Sequence, residues 1–349
     1  MDSKTRALAA LNHQPPDRIP RFDNFWEEFR QNCLYELRLP PDTDLGRYFE
    51  IDIGILAADE TPFPTQAQTL GQSGEYTTAR DGWGRVVRTR PGAYFSEELE
   101  FPMQSAADLD ARPFDSPTLE SRYLVFDSTR LAQDPRCLFC KVGGPFLRSA
   151  FMRGKAQFLA DIVSDPGFAK ALADKVADHL IAVGIESLRR SNLLDTGIWI
   201  YDDIAFNRQP FMSPESFEAV FVPAYRRMVR AFKSAGAAFV CFHSDGDINP
   251  LLDMLIDVGI ASINPVEPRA GMDLPRLKAK YGSKLAFIGG MCNARILPQG
   301  SRDEIANQAR AIIEVAQDGG VIIGAHSIGP DVPVANYVYY HDFVASLSC

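Results

Sequence analysis

The sequence has no apolar run long enough to cross a membrane, and its start lacks the apolar core and cleavage site of a secretion signal. Cysteine is scarce as well: six in 349 residues are too few and too scattered for a disulfide framework. These absences predict a cytoplasmic protein with reduced thiols and no membrane partner.

Positive charge is also in short supply. The chain has 36 Lys and Arg against 45 Asp and Glu, for a net charge of −9, and no basic run is longer than a pair. A nucleic acid is therefore an unsuitable partner. Glycine-rich dinucleotide and nucleotide loops and the GxSxG elbow are missing, which removes the usual support for those enzyme classes.

Eight short apolar runs of strand length are present instead, separated by segments with helical periodicity. They cover residues 17–22, 51–56, 138–142, 198–201, 239–242, 261–264, 285–288 and 321–323. Alternating strands and helices predict a parallel α/β protein, and eight is the number of strands that closes a (β/α)8 TIM barrel. We expect one domain over residues 1–349, with an open doubly wound sheet as the alternative.

Three helices have clear start signals. Asp165-Pro166 and Ser213-Pro214 each supply a cap and a first-turn proline, and Ser301-x-x-Glu304 is a capping box. The second of these helices is expected to continue to Gly236.

Residues 61–117 interrupt the alternation of strands and helices. They contain an alternating run at 76–89 around Asp81-Gly82-Trp83-Gly84, which predicts a β-hairpin inserted in an early βα loop, a candidate lid. The only CxxC pair, Cys137 and Cys140, lies in a strand whose alternation sends the two thiols to opposite faces. Both are expected to be core residues and not to share a metal.

Polar side chains follow the predicted strands at the end where barrel active sites are built. His243 follows the fifth strand and His326 follows the eighth, and Asp245 would project to the same side as His243. Either these three side chains bind zinc and leave a position open for substrate, or they are hydrogen-bonded residues that line a substrate pocket.

Five further residues are candidates for substrate binding, and three histidines are assigned no role. The candidates are Asn24, Asp59, Asp202, Asn264 and Glu267; the histidines are His13, His179 and His341. Either Asp202 or Asp203 should face the pocket, where a carboxylate would bind a cationic substrate or cap the following loop. Two glycine pairs, at 143–144 and 289–290, either admit a ligand close to the backbone or serve as turns.

Several motifs resemble the uroporphyrinogen decarboxylase-like superfamily over nearly the whole chain. They include Arg6-Ala7-Leu8 with Pro16-Asp17-Arg18-Ile19-Pro20, Asp81-Gly82-Trp83-Gly84, Phe242-His243-Ser244-Asp245-Gly246-Asp247-Ile248, Asn264-Pro265-Val266-Glu267 and Ala325-His326-Ser327-Ile328-Gly329-Pro330. The resemblance implies a (β/α)8 barrel that commonly forms a homodimer.

The decarboxylases of this superfamily carry an arginine-rich segment after the first strand, which holds the acidic side chains of a porphyrinogen. Here the segment reads Phe22-Asp23-Asn24-Phe25-Trp26-Glu27-Glu28, and its carboxylates would repel such a substrate. His326 does match a histidine of the decarboxylase pattern, and Asp59 resembles the aspartate of the same pattern. A decarboxylase of a tetrapyrrole or of another carboxylated substrate is therefore the alternative function.

The resemblance is closer to the methyltransferases that move a methyl group between a corrinoid protein and a small donor or acceptor such as tetrahydrofolate. Thiol-specific members hold zinc with a His-x-Cys pair after the fifth strand and a cysteine after the eighth. His243, Asp245 and His326 stand at those positions here, so one ligand is kept and two thiolates are replaced by harder groups. Glu267 or Cys292 is the candidate fourth ligand.

The resemblance thus implies a methylcorrinoid carried by a partner protein, and zinc as the possible metal. A non-enzymatic alternative is a component that only binds the corrinoid partner.

Overall fold

Eight parallel strands surround a common axis in the computed structural model of the chain, which describes residues 1–93 and 95–347. They are Arg21–Phe25, Ile53–Ala57, Cys137–Gly143, Gly197–Tyr201, Phe239–His243, Ser262–Val266, Ala286–Gly290 and Val321–Ile328. The order in the sheet is 1-8-7-6-5-4-3-2, so consecutive strands pair from the second to the eighth and the first pairs with the last. This cyclic order confirms the TIM barrel and excludes the doubly wound sheet.

Each predicted apolar run overlaps a barrel strand, but the boundaries are shifted. The first strand begins at Arg21 and not at residue 17, because Pro20 has no N–H to donate to a neighbouring strand. Most of the other strands extend further toward their carboxyl ends than predicted. As a result His243 and His326 lie within the fifth and eighth strands, not beyond them.

Inward-facing side chains fill the barrel below its mouth. Trp199 is fully buried at the centre, with its ring 4.9 Å from that of Phe22 and 5.7 Å from that of Phe139. Cys137 and Cys241 belong to this interior cluster, whereas Cys140 packs outside the barrel. The two thiols of the CxxC pair therefore point to opposite faces, as predicted.

The helices pack around the barrel and at its ends. They are Ser3–Leu11, Glu27–Glu36, Leu45–Tyr48, Ala106–Ala111, Ser128–Ala132, Pro145–Arg153, Lys155–Ser164, Pro166–Ser191, Pro214–Val220, Val222–Ser234, Leu252–Asp257, Leu274–Tyr281, Ile296–Gln299, Arg302–Ala316 and Val334–Ser346. Within the described ranges, no helix combines the length and apolarity that a membrane span requires.

The three predicted helix starts are confirmed by their caps. The side chains of Asp165, Ser213 and Ser301 each accept a hydrogen bond from a backbone N–H in the first turn. The prediction that the second helix runs unbroken to Gly236 is wrong. That segment divides at Phe221, since Pro223 lacks the N–H that a continuous helix would need.

The insertion forms an antiparallel sheet of four strands, Gln68–Ser73, Tyr76–Arg80, Val86–Thr89 and Glu97–Glu100. The predicted hairpin is its central pair, with Arg80 opposite Val86. Trp83, in the turn of that hairpin, packs edge to face on Phe151 at 5.5 Å and lies against the Arg148 guanidinium. The tip of the insertion therefore contacts the helix that follows the third barrel strand.

The amino-terminal motif closes the other end of the barrel. Asp52 has no exposed surface, and its carboxylate accepts hydrogen bonds from Arg6 at 2.7 Å, Arg18 at 2.8 Å and the Arg21 backbone N–H at 2.9 Å. The first and second strands do not pair along their length, so this cluster joins them below the mouth.

Candidate metal centre

Three side chains meet at the mouth of the barrel. His243 ends the fifth strand, Asp245 follows two residues later, and His326 lies in the eighth strand. Asp245 Oδ1 is 3.5 Å from His243 Nε2 and 3.0 Å from His326 Nε2, and the ring centroids are 5.4 Å apart. Their candidate ligand atoms all lie within 4.8 Å of one another, a spacing that one metal ion could span.

Local structure brings each imidazole into the mouth. His243 continues the inward face of the fifth strand above Cys241, and its ring stacks on that of Tyr201 with centroids 4.3 Å apart. His326 has a φ of 65°, in the left-handed region that side chains other than glycine rarely adopt. Such a conformation costs on the order of 1 kcal/mol and is found most often where function requires it.

Asn264 determines which nitrogen of His243 is available. The Asn264 side-chain N–H donates to the Ile288 carbonyl at 3.3 Å, so the amide oxygen faces His243 Nδ1, which is 2.7 Å away. Nδ1 must then carry the proton, and the lone pair of Nε2 points toward Asp245 and His326. In most metal-binding histidines, the ring nitrogen that does not bind the metal donates such a hydrogen bond, which orients the ring.

The electrostatics favour the metal-binding protonation states of His243 and Asp245, whereas a metal would have to displace a proton that Asp245 stabilises on His326. Burial and the nearby His326 lower the pKa of His243, which keeps that imidazole neutral. Burial would raise the pKa of Asp245, but the two imidazoles lower it below its usual range. Burial also opposes protonation of His326, yet the Asp245 carboxylate raises its pKa. Asp245 is therefore charged at neutral pH.

One carboxylate oxygen in this cluster lacks a hydrogen bond. Asp245 Oδ1 is buried and, in the described part of the chain, accepts no hydrogen bond of acceptable geometry, although His326 Nε2 is only 3.0 Å away. A buried anionic oxygen beside two imidazole nitrogens fits a divalent cation, and a donor set of two nitrogens and one oxygen suits zinc.

Neither candidate fourth ligand joins this group among the residues that the structure describes. Glu267 Oε2 accepts a hydrogen bond from the Gly246 N–H at 2.8 Å, and Cys292 lines a separate cavity beside Arg295. A metal held by His243, Asp245 and His326 alone would keep a position open for substrate.

Asp202 lies outside the mouth, and Asp203 lies inside it. Asp202 has no exposed surface; its carboxylate accepts from the N–H groups of Phe146 and Leu147 and from the Tyr225 hydroxyl at 2.6 Å. It caps the helix that begins at Pro145, and burial raises the pKa of this carboxyl to about 6. Asp203 Oδ1 is 3.7 Å from His243 Nε2.

Asn24 and Asp59 do not reach the three ligands. Asn24 lines a cleft of about 340 Å³ between the first and second strands, and Asp59 is exposed and accepts from the N–H and hydroxyl of Thr61. The neighbouring Glu60 faces inward instead. Its carboxylate accepts from the Gly143 N–H and pairs with Arg148, each at 2.5 Å.

The first glycine pair makes room for the protein's own side chains and not for a ligand. A Cβ on Gly143 would lie 2.1 Å from Arg148, and one on Gly144 would lie 2.1 Å from Asp202. Any side chain here would displace the Arg148 and Asp202 contacts described above.

A cavity of about 710 Å³ opens beside Asp245. Asp203, Gly246 and Glu267 line its inner side, and Phe206 and Phe211 stack in its wall with their centroids 5.0 Å apart. Its rim carries three cationic side chains that the sequence analysis did not single out, because they lie in loops without a recognisable motif. They are Lys155, Arg208 and Arg269.

The eight-stranded barrel and the His-Asp-His cluster at its mouth define a (β/α)8 barrel protein with a candidate metal centre. Residues 90–347 match the family described as uroporphyrinogen decarboxylase (URO-D), and the chain belongs to that family. Its fold is similar to that of a methyltransferase from Methanosarcina mazei, with a TM-score of 0.68, 17% identity and 100% of each chain covered. No curated protein has detectable similarity to this chain.

Proposed function

We propose that this chain is a methyltransferase that holds zinc with His243, Asp245 and His326 and moves a methyl group between a corrinoid protein and a small donor or acceptor. The observation that carries the proposal is the convergence of ligand atoms from His243, Asp245 and His326 within 4.8 Å of one another at the barrel mouth. The similarity of the fold to a protein named as a methyltransferase supports the same class of reaction.

The chain's own residues would orient the reacting groups. Asn264 holds His243 in the tautomer that presents Nε2, and Asp203, next to His243, is placed to accept a proton from a bound substrate. Bound zinc would act as a Lewis acid on the heteroatom that gains or loses the methyl group. The cavity beside Asp245 gives a small molecule access to this position.

The ligand set favours an oxygen or nitrogen substrate over a thiol. Thiolate ligands make zinc electron-rich and suited to activating thiols, whereas Asp245 and His326 are harder donors. We therefore propose a methoxylated compound or a pterin such as tetrahydrofolate as the small substrate.

Metal analysis and a cobalt assay test the proposal together. We expect about one zinc per chain, as in other mononuclear sites, and its loss in His243→Ala, Asp245→Asn and His326→Ala. Demethylation of methylcobalamin by an oxygen or nitrogen acceptor, or methylation of cob(I)alamin by a methoxylated donor, would change the cobalt absorption spectrum. Asp253→Asn, which removes an exposed carboxylate elsewhere, is the control for Asp245→Asn.

A metal-free protein that leaves the cobalt spectrum unchanged with every donor and acceptor would contradict the proposal. If that protein still binds methylcobalamin, the chain is a corrinoid-binding component.

A decarboxylase is the second candidate, and the cationic rim of the cavity favours it. Lys155, Arg208 and Arg269 form no ion pair within 4 Å to another described residue, and could hold the carboxylates of a substrate. Incubation with uroporphyrinogen separates the two candidate functions. Release of carbon dioxide would support the decarboxylase and contradict the methyltransferase.

A further inference from the structure

Lys141 is a cation inside the barrel mouth that the proposed reaction does not use. It lies on the third strand, two residues beyond Phe139 and four beyond Cys137, which both face the barrel interior. Its ammonium lies 5.1 Å from the centroid of the Tyr201 ring, and that ring stacks on His243. Lys141 is therefore separated from the metal ligands by one aromatic ring.

This ammonium has no anionic partner of its own. Among residues 1–93 and 95–347, no carboxylate lies within 4 Å of Lys141 Nζ and it forms no hydrogen bond; the ammonium lies over the Tyr201 ring. The Tyr201 hydroxyl is also buried without a hydrogen bond in this part of the chain. The hydroxyl is thus enclosed, whereas the half-buried Lys141 ammonium is the polar group that a ligand can reach.

The carboxylates nearest to Lys141 are already engaged. Both oxygens of Glu60 are taken, one by the Arg148 guanidinium and the other by the Gly143 N–H. Asp203 Oδ1 accepts from the Asp245 N–H at 3.2 Å. Lys141 is half-buried and its Nζ is not enclosed, so a ligand can reach an ammonium that no carboxylate neutralises.

We infer that Lys141 forms a binding site for a carboxylate group of the small substrate, beside the three metal ligands. The inference rests on the proposed function for the chemistry that follows binding, and it narrows the substrate to methylated or methyl-accepting carboxylic acids. A carboxylate would accept a charge-assisted hydrogen bond from the ammonium. Its negative charge would also compensate the half-buried cation.

Two small probes of nearly equal shape test the inference. Methoxyacetate carries a methyl ether and a carboxylate, and methoxyacetamide replaces the carboxylate by a neutral amide. Ligand-observed NMR titration of the zinc-supplemented protein should show methoxyacetate binding at least about tenfold more tightly, which is the usual contribution of a charged hydrogen bond. In Lys141→Met this preference should disappear, and Lys141→Arg should retain part of it.

The controls separate the lysine from the metal and from the fold. Lys170→Met removes an exposed lysine that pairs with Asp174, and should leave the preference unchanged. Circular dichroism and zinc content should be the same in Lys141→Met as in the parent protein. Equal affinity for the two probes in the parent protein would overturn the inference.

An undiminished preference in Lys141→Met would overturn it as well, because the metal alone would then hold the carboxylate. The cobalt assay is a separate experiment and tests only the proposed function. If the protein transfers no methyl group but still prefers methoxyacetate through Lys141, the proposed function is contradicted and the inference about Lys141 stands.

Discussion

Asn264 illustrates how a residue that touches no metal can control a metal ligand. Its amide is fixed by the Ile288 carbonyl, and it in turn fixes the proton of His243 on Nδ1. Without that acceptor the imidazole could rotate or exchange tautomers, and Nε2 would no longer be held toward Asp245. Such hydrogen bonds tune affinity without changing the ligand set.

Replacement of Asn264 by alanine should weaken zinc binding by about 10- to 100-fold, the range typical of lost second hydrogen bonds to histidine ligands. Competition with a chromophoric chelator measures this dissociation constant directly. Asn307→Ala, at an exposed helical position, serves as the matched control. Unchanged zinc affinity in Asn264→Ala would show that the Asn264 contact does not orient His243.

His179 gives the stability of the protein a specific pH dependence. It is buried against the second βα loop, where Nε2 lies 3.0 Å from the Glu60 carbonyl, and burial together with the nearby Arg122 lowers its pKa to about 4. Because the unfolded chain takes up this proton near pH 6.5, the contribution of His179 is complete above pH 6.5 and is lost as the pH falls toward 4.

The His179→Gln variant keeps a donor for the Glu60 carbonyl but cannot titrate. We expect the parent protein to lose on the order of 3 kcal/mol more stability than this variant between pH 6.5 and pH 4. Urea unfolding at several pH values measures the difference. Parallel pH profiles for the two proteins would contradict the assigned pKa direction.

At the scale of secondary-structure elements, the first helix is tied to the barrel by a single buried carboxylate. Asp52 receives Arg6 from the helix Ser3–Leu11 and Arg18 from the loop that follows, and it also accepts from the backbone of the first strand. These contacts occur where the first and second strands are not paired. The Asp52 cluster therefore connects the first and second strands in place of some of the backbone hydrogen bonds that are missing between them.

Asp52→Asn should destabilise the protein by about 3–5 kcal/mol, since it leaves the Arg18 guanidinium without its charged partner and Arg6 with only the exposed Asp17. Chemical unfolding monitored by circular dichroism measures the loss. Asp17, which pairs with Arg6 but is exposed, provides the comparison, and Asp17→Asn should cost about 1 kcal/mol or less. A similar loss of unfolding free energy in both variants would mean that burial does not increase the contribution of Asp52 to stability.

The elements that could be predicted are those whose burial leaves a pattern. All eight barrel strands carry apolar runs, and three helix starts carry capping residues, so both were visible in the sequence. The strand Gln68–Ser73 of the insertion is exposed along its whole length and has no apolar alternation to reveal it. Its pairing depends on the neighbouring hairpin.

The candidate site also combines residues that the sequence predicts with residues that only the folded structure reveals. His243, Asp245 and His326 follow from strand order, because the ends of parallel barrel strands converge. The choice between Asp202 and Asp203 depends on the exact end of the fourth strand, which the sequence does not define. The inward direction of Lys141 could have been predicted from the alternation of Cys137 and Phe139. Its lack of a counterion is a property of the folded chain.

At the scale of the whole molecule, the candidate metal ligands join distant parts of the barrel sheet. His243 and Asp245 come from the fifth strand and His326 from the eighth, with the sixth and seventh strands between them. A metal shared by these residues would link two segments that are separated by about a quarter of the chain. The unfolded chain has no preformed site of this kind.

Zinc should therefore stabilise the native barrel as a whole and not only the mouth. A ligand that binds only the folded state stabilises it by about 2.7 kcal/mol at a free concentration of 100 times its dissociation constant. The expected observation is a rise in the unfolding temperature with added zinc, absent in His326→Ala and retained in His341→Gln, whose imidazole lies beside Arg21 away from the cluster. An equal rise in parent and His326→Ala proteins would place the zinc elsewhere on the chain.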